Sequence, residues 1–276
     1  MLKITLLVVV VIAFINSISF IVAMGLRYYP GAAGLRTIRD VSQDAPVMNY
    51  FIAGMLNHPE PAFQFITSYM KGGITYADFR NTGWTAWETA EAIEAHIYRH
   101  RYTKVRIFSI SVGDHVARYL EQHYYNDDAV HLEIIAINPC SSPTALKDSV
   151  DTAVMLGSPV VKLGCILAGW ISVIPMPFLK TPGDNYSLFL LSSQITQTAD
   201  CSTPGFTDHT IGVVLSEQDE FLDSDALHEY FETCPVITIP ECRHGDTIGN
   251  AEAYRKAVIG VLQHSKLKTS TLAPPQ

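Results

Sequence analysis

The segment VRIFSISVGDHVARYL, residues 105–120, joins an apolar, β-branched run to a stretch with helical spacing. Ser109 and Ser111 lie at the junction, two positions apart. A nucleophile raised on a sharp strand-to-helix turn needs small residues two positions before and after it, because larger side chains would clash there. Ser109 and Gly113 meet this requirement, so the pattern predicts Ser111 as a nucleophile on a tight turn.

The same two serines would also suit an ordinary helix N-terminus, where hydroxyl groups accept hydrogen bonds from the first free N–H groups. The surroundings favour the nucleophile, because the S-x-S-x-G pattern lies between a predicted strand and a predicted helix, as the mechanism requires. The helix would then direct its partial positive charge and its free N–H groups at the reacting atoms.

A serine hydroxyl is a weak nucleophile that needs a base, and the base needs an orienting acid. Of the ten histidines, His244 lies in a polar loop directly after a predicted strand and before the last predicted helix. The predicted acid is Asp219, just past another strand; Glu217 and Asp223 are competitors, and Asp223 also suits the N-cap of the next helix. The chain order Ser111, Asp219, His244 is one of the known triad orders.

An oxyanion intermediate needs two hydrogen-bond donors. The first predicted donor is the backbone N–H of Val112, the residue after the nucleophile. The second is the N–H of Met55 in FIAGML, where Gly54 allows the chain to turn tightly. A plain glycine turn without this function is the alternative interpretation of the Gly54 region.

The rest of the chain predicts an α/β fold. Strand-like and helix-like segments alternate over residues 46–265, which is typical of a mostly parallel central sheet with helices on both faces. An apolar region at about 141–208 interrupts this alternation, and its prolines argue against a second bilayer span. We expect a helical cap over the site there; a helical insertion that only packs on the core, or an interfacial membrane contact, are the alternatives. The tail, 266–276, is predicted to be disordered.

The N-terminus, residues 1–26, is predicted to be a membrane anchor or a signal. Residues 4–26 carry no charge, and a helix of that length, at about 1.5 Å per residue, would span the roughly 30 Å core of a bilayer. A retained transmembrane helix is favoured over a cleaved signal peptide and a secreted product, and the side of the membrane is left open. Residues 27–45 then form a tether with an early edge strand.

Composition excludes several other classes. The 276 residues carry a formal net charge of −8 and no basic stripe, so nucleic acid is not an expected partner. The five cysteines show no metal-type spacing, and their odd number leaves at least one outside any intrachain pair. No cofactor and no metal are predicted.

The assembled motifs resemble the α/β-hydrolase superfamily. The resemblance rests on FIAGM, ITYADFRNTGWTA, IFSISVG, SEQDEFLD and RHGDTIG. It implies a mostly parallel sheet, a cap insertion, Ser111 as nucleophile, Asp219 as acid and His244 as base. The chain departs from the family pattern at Ala53, where histidine is common, and at Ser109, where glycine is usual.

The expected activity is that of a serine hydrolase that cleaves carboxylic esters through an acyl-enzyme. Trp170 and Phe178 in the apolar insertion suggest a hydrophobic or lipid-like ester substrate. The alternatives are a thioesterase or a peptidase with the same triad, or a non-catalytic binding protein that keeps the fold.

Overall fold

A computed structural model describes residues 34–54, 59–78, 86–124, 129–141 and 208–266. The predicted anchor, nearly all of the predicted cap and nearly all of the predicted disordered tail lie outside the described residues. Within the described ranges, no helix is both long enough and apolar enough to cross a membrane.

Seven strands form one sheet. They are β1 (Leu35–Arg39), β2 (Met48–Ile52), β3 (Gly73–Ala77), β4 (Lys104–Ile110), β5 (His131–Ile137), β6 (Thr210–Ser216) and β7 (Val236–Ile239). Their order across the sheet is β1-β3-β2-β4-β5-β6-β7, and every neighbouring pair is parallel except β1 with β3. The predicted mostly parallel sheet is therefore confirmed, with an antiparallel edge strand inside the predicted tether region.

Six helices are described. They are α1 (Pro59–Ala62), α2 (Gln64–Thr67), α3 (Ala86–His100), α4 (Gly113–Tyr124), α5 (Ser224–Tyr230) and α6 (Ala251–Leu262). Helices α1 and α2 are two separate short helices and not one continuous helix. The backbone of Phe63, with φ −109° and ψ 7°, leaves the helical region and separates the two short helices.

Both faces of the sheet are covered by helices. Phe51 of β2 packs on one face against Phe63 and stacks on Phe108, with ring centroids 4.7 Å apart. Its neighbours Tyr50 and Ile52 point to the opposite face, where they pack with α3 and α4. A strand that is buried on both faces must be apolar at nearly every position, which explains the continuous apolar runs in the sequence.

Helix α4 carries a stripe of buried charges. Asp114, Arg118 and Glu121 lie on one side of the helix and are almost completely buried. Arg118 forms ion pairs with both carboxylates and also donates to Thr210 Oγ1 of β6 at 2.9 Å. Glu121 Oε1 accepts the His209 backbone N–H at 2.8 Å. Because buried charges are tolerated only when paired, this stripe fixes α4 against the start of β6.

Glu121 makes the free energy of unfolding depend on pH. Burial, with the nearby carboxylates of Asp114 and Asp208, raises the pKa of Glu121 to about 7, although Arg118 and the His209 N–H oppose the shift. Between pH 4.5 and 7 the folded protein thus holds a proton on Glu121 that the unfolded chain has released, and Glu121 is a charged partner of Arg118 only above that window. The contribution of this group to stability therefore falls as the pH rises through that window, in total by on the order of 3 kcal/mol.

The Glu121→Gln variant has no titratable group at position 121. Comparison with the wild type therefore separates this effect from the titration of other groups. As the pH rises from about 4.5 to 7, we expect the wild type to lose unfolding free energy relative to the variant. Urea titrations at several pH values measure it. A difference that stays constant over this range would contradict the assignment.

Candidate active site

The candidate site lies at the carboxyl ends of the parallel strands. In the sheet, β2 lies between β3 and β4, so the chain passes from β2 to its neighbour on one side and then returns to its neighbour on the other side. Ligands of open α/β sheets bind at such a switch point. Gly54 follows β2 and Ser111 follows β4 here, while Asp219 and His244 follow β6 and β7 at the same edge of the sheet.

Ser111 lies on a strained turn. Its φ angle of 53° is in the left-handed region that side chains larger than glycine rarely adopt. Its N–H donates to the Ile137 carbonyl of β5 at 3.0 Å, which holds the turn to the sheet. Gly113 allows the start of α4 to approach β2, since a Cβ atom there would lie 2.6 Å from the Ile52 oxygen and 2.8 Å from the Ala53 oxygen. The sequence pattern at Gly113 thus has a steric cause.

Ser109 has a second property besides its small size. Its buried hydroxyl donates to Asp114 Oδ1 at 3.0 Å, and the other oxygen of Asp114 accepts the hydroxyl of Ser141. Arg118 donates to the same carboxylate. Serine in place of the usual glycine therefore links the strand before the turn to the helix after it. Sequence analysis did not identify Asp114. Acidic residues are common in the first turn of any helix, so its position in the sequence did not indicate a buried role.

The structure brings the three predicted triad side chains together. His244 Nε2 lies 2.8 Å from Ser111 Oγ, and His244 Nδ1 lies 2.6 Å from Asp219 Oδ2. A carboxylate can only accept, so Nδ1 carries a hydrogen, and in the neutral imidazole Nε2 then presents its lone pair to the serine hydroxyl. Asp219 is buried, whereas the His244 side chain keeps 15% of its surface exposed. The imidazole can therefore contact both the buried acid and a substrate.

Backbone groups hold the Asp219 carboxylate in place. Its Oδ1 atom accepts the N–H groups of Phe221 and Leu222, both at 2.9 Å, and its Oδ2 atom faces His244. The half-exposed Phe221 ring meets the imidazole edge-on, with ring centroids 5.3 Å apart. Sequence analysis did not identify Phe221.

The two competing carboxylates have other partners. Glu217 Oε2 accepts the Glu241 backbone N–H at 3.0 Å, so it joins the loop of the acid to the loop of the base. Asp223 is the N-cap of α5 and accepts the N–H groups of Asp225 and Ala226, both at 3.1 Å. The N-cap prediction for Asp223 is confirmed.

Val112 supplies the first of the two predicted oxyanion donors. Among the described residues, no group accepts its backbone N–H, which belongs to the first turn after Ser111. Met55, the predicted second donor, lies outside the described residues. Gly54 beside it is described, and a Cβ atom there would lie 2.8 Å from the Ser111 Cβ atom. Only glycine therefore lets this loop approach the nucleophile so closely.

Cys140 lies beside the candidate nucleophile. Burial and the Asp114 charge raise the pKa of its thiol, and a hydrogen bond with Ser111 offsets this only in part. A raised pKa disfavours the thiolate, which is the nucleophilic form of cysteine. Cys140, Cys234 and Cys242 are free thiols. Within the described ranges, no group of His, Cys, Asp or Glu side chains could hold a metal ion.

Comparisons with known proteins identify the fold. No protein-family model matches the chain, and no curated protein matches its sequence. An α/β hydrolase from a Medee basin deep-sea metagenome library matches with a TM-score of 0.58 at 14% identity, over 84% of this chain and 94% of that one. A carboxylesterase structure from the Thaumarchaeon Nitrososphaera gargenis matches with a TM-score of 0.54 at 11% identity, over 83% and 94%.

A membrane phospholipase A of bacterial origin also matches, with a TM-score of 0.53 at 16% identity, over 94% of this chain and 97% of that one. The protein thus has the α/β-hydrolase fold, in agreement with the resemblance of its motifs.

Replacing Gly113 tests the steric requirement at the turn. We expect Gly113→Ala to destabilise the protein by about 1–3 kcal/mol, because the new Cβ atom meets backbone oxygens that cannot move aside. Thermal unfolding measures the loss. Gly260→Ala in α6 is the matched control, because its Cβ atom would meet only the flexible end of Ile237 at 3.2 Å and alanine favours a helix. Equal unfolding temperatures for both variants would contradict the assignment.

Proposed function

We propose that this protein is a serine hydrolase that cleaves carboxylic esters with Ser111, His244 and Asp219. The observation that carries the proposal is the continuous chain of two short hydrogen bonds from Ser111 through His244 to Asp219. The left-handed turn at Ser111 supports the proposal, and so does the backbone N–H of the next residue, Val112, which has no acceptor among the described residues. The shared fold of carboxylesterases and other hydrolases agrees with a hydrolase.

The proposed reaction has two stages. Ser111 Oγ attacks the ester carbonyl while His244 Nε2 takes the serine proton, and the Val112 N–H stabilises the oxyanion. The intermediate expels the alcohol, to which His244 returns the proton, and an acyl-enzyme remains. Water, deprotonated by His244, then releases the acid and restores the hydroxyl. Asp219 keeps the imidazole in the required tautomer and stabilises its cation.

The proposed substrate is a hydrophobic or lipid-like ester. Two features support it: the apolar residues of the 141–208 region, and the half-exposed Phe221 ring against His244. One of the structural matches is a membrane phospholipase A, which agrees with a lipid-like substrate. Thioesters and peptide bonds are alternative substrates for the same groups, so a panel of matched ester, thioester and amide compounds would rank the three activities by kcat/KM.

Retention of the apolar segment 4–26 as a membrane anchor belongs to the same proposal, since it would keep the enzyme close to lipid. A secreted product after signal cleavage is the alternative. Mass spectrometry of the mature N-terminus separates the two, and a chain that starts near Phe20 would overturn the anchor.

Replacing the nucleophile tests catalysis. We expect Ser111→Ala to lower the hydrolysis of a short-chain p-nitrophenyl ester by about three orders of magnitude or more, because the acyl-enzyme cannot form. A fluorophosphonate probe should modify Ser111 in the wild type and leave the variant unlabelled, as peptide mapping would show. Ser42→Ala, at an exposed position, is the control with wild-type rates. Equal turnover by wild type and Ser111→Ala would remove Ser111 from the mechanism and favour a non-catalytic binding protein.

A further inference from the structure

Three buried polar side chains lie beneath the candidate triad and take no part in the proposed reaction. Asn138 follows β5, Ser216 ends β6 and Tyr254 belongs to α6, and all three are fully buried. The hydroxyl oxygens of Ser216 and Tyr254 are 2.6 Å apart. Asn138 Nδ2 donates to Ser216 Oγ at 2.9 Å and to the Tyr254 hydroxyl at 3.3 Å. We refer to these three residues as the polar hub.

The hydrogens of the polar hub have one consistent arrangement. The backbone N–H of Ser216 donates to Asn138 Oδ1 at 2.8 Å, and this fixes which end of the amide is oxygen. In the arrangement that gives each hydroxyl an acceptor, Tyr254 donates to the Arg243 carbonyl at 3.4 Å and Ser216 donates to Tyr254. Burial raises the pKa of Tyr254 to about 12, which keeps this proton in place. Each hydrogen bond thus determines the direction of the next.

Two members of the hub connect directly to the acid and the base. The Ser216 carbonyl accepts the Asp219 N–H at 3.2 Å and so closes the turn that carries the acid. Tyr254 holds the carbonyl of Arg243, the residue next to His244. The contact between Ser216 and Tyr254 therefore joins the loop of the acid to the loop of the base.

The third member connects to the nucleophile. Asn138 has a φ angle of 45°, a left-handed conformation that asparagine tolerates better than most residues. Its backbone N–H donates to the Val214 carbonyl at 2.8 Å. The preceding residue, Ile137, accepts the Ser111 N–H at 3.0 Å. The turn at Asn138 thus fixes the carbonyl that holds the nucleophile turn.

We propose that the polar hub is a positioning element, which sets the relative placement of the turns that carry nucleophile, acid and base. The inference rests on the proposed serine hydrolase function. The residues of the polar hub do not touch the reacting atoms. They act through the backbone of the three turns. A misplacement of reacting groups by about 1 Å can lower a rate by about a hundredfold, whereas substrate binding depends on it less. A hub that merely satisfied buried polar groups would contribute to stability alone.

Tyr254→Phe tests the positioning role, because it removes one hydroxyl and keeps the ring. The centroid of this ring lies 6.0 Å from that of Phe65. We expect kcat and the rate of fluorophosphonate labelling of Ser111 to fall by about ten- to a hundredfold, with KM changed by less than about threefold. Ser216→Ala should have a similar effect. The double variant should lose less than the product of the two single losses, because both hydroxyls act in one network.

Tyr50→Phe is the matched control. Tyr50 is also fully buried, and its hydroxyl lies 2.7 Å from His96 Nδ1 on the other face of the sheet. We expect this variant to melt at a lower temperature, as Tyr254→Phe does, and to keep the wild-type labelling rate. Wild-type kcat and labelling in Tyr254→Phe would overturn the inference, and so would an equal loss of rate in both tyrosine variants.

Hydrogen exchange of the backbone amides separates this inference from the proposed function. The Ser111 and Asp219 N–H groups should exchange about tenfold faster in Tyr254→Phe and at the wild-type rate in Tyr50→Phe, whether or not the protein turns over an ester. Unchanged exchange at both amides would overturn the positioning role even in an active enzyme. Failure of the wild type to react with the probe would instead overturn the serine hydrolase proposal.

Discussion

The close approach of α4 to the end of β2 is the constraint on which the candidate site depends. The chain must turn from β4 into α4 at Ser111 within a space that leaves no room for a Cβ atom at Gly113 or Gly54. This crowding holds Ser111 in its left-handed conformation, and that conformation raises the hydroxyl above the sheet edge. The short contact with His244 follows from this placement.

Hydrogen bonds below and beside this turn offset its strain. Below the turn, Ser109 and the buried Asp114 tie β4 to α4, and the stripe that continues through Arg118 reaches β6. Beside the turn, the Ile137 carbonyl holds the Ser111 N–H. The polar groups of this layer are buried and hence must be paired, so the same contacts that stabilise the fold also limit the positions that the reacting groups can take.

The sequence was sufficient to predict those features that local rules determine. The alternation of strands and helices follows from hydrophobic spacing, and the Ser111 turn, the Asp223 cap and the loop positions of Asp219 and His244 follow from short patterns. Long-range polar pairing could not be predicted in this way. Asn138, Ser216 and Tyr254 are separated by up to 116 residues and meet only after the sheet has formed. Similarly, charges at helical spacing in α4 are typical of a solvent-exposed face, and only the folded protein shows that this face is buried.

The strand order has a consequence for the growing chain on the ribosome. Strands β1 to β5 are neighbours of one another in the sheet, and β6 and β7 add one after the other at the far edge. The first five strands can therefore pair before the last two have been synthesised. Because Asp219 and His244 both follow these late strands, their side chains can meet Ser111 only after the whole sheet has been synthesised.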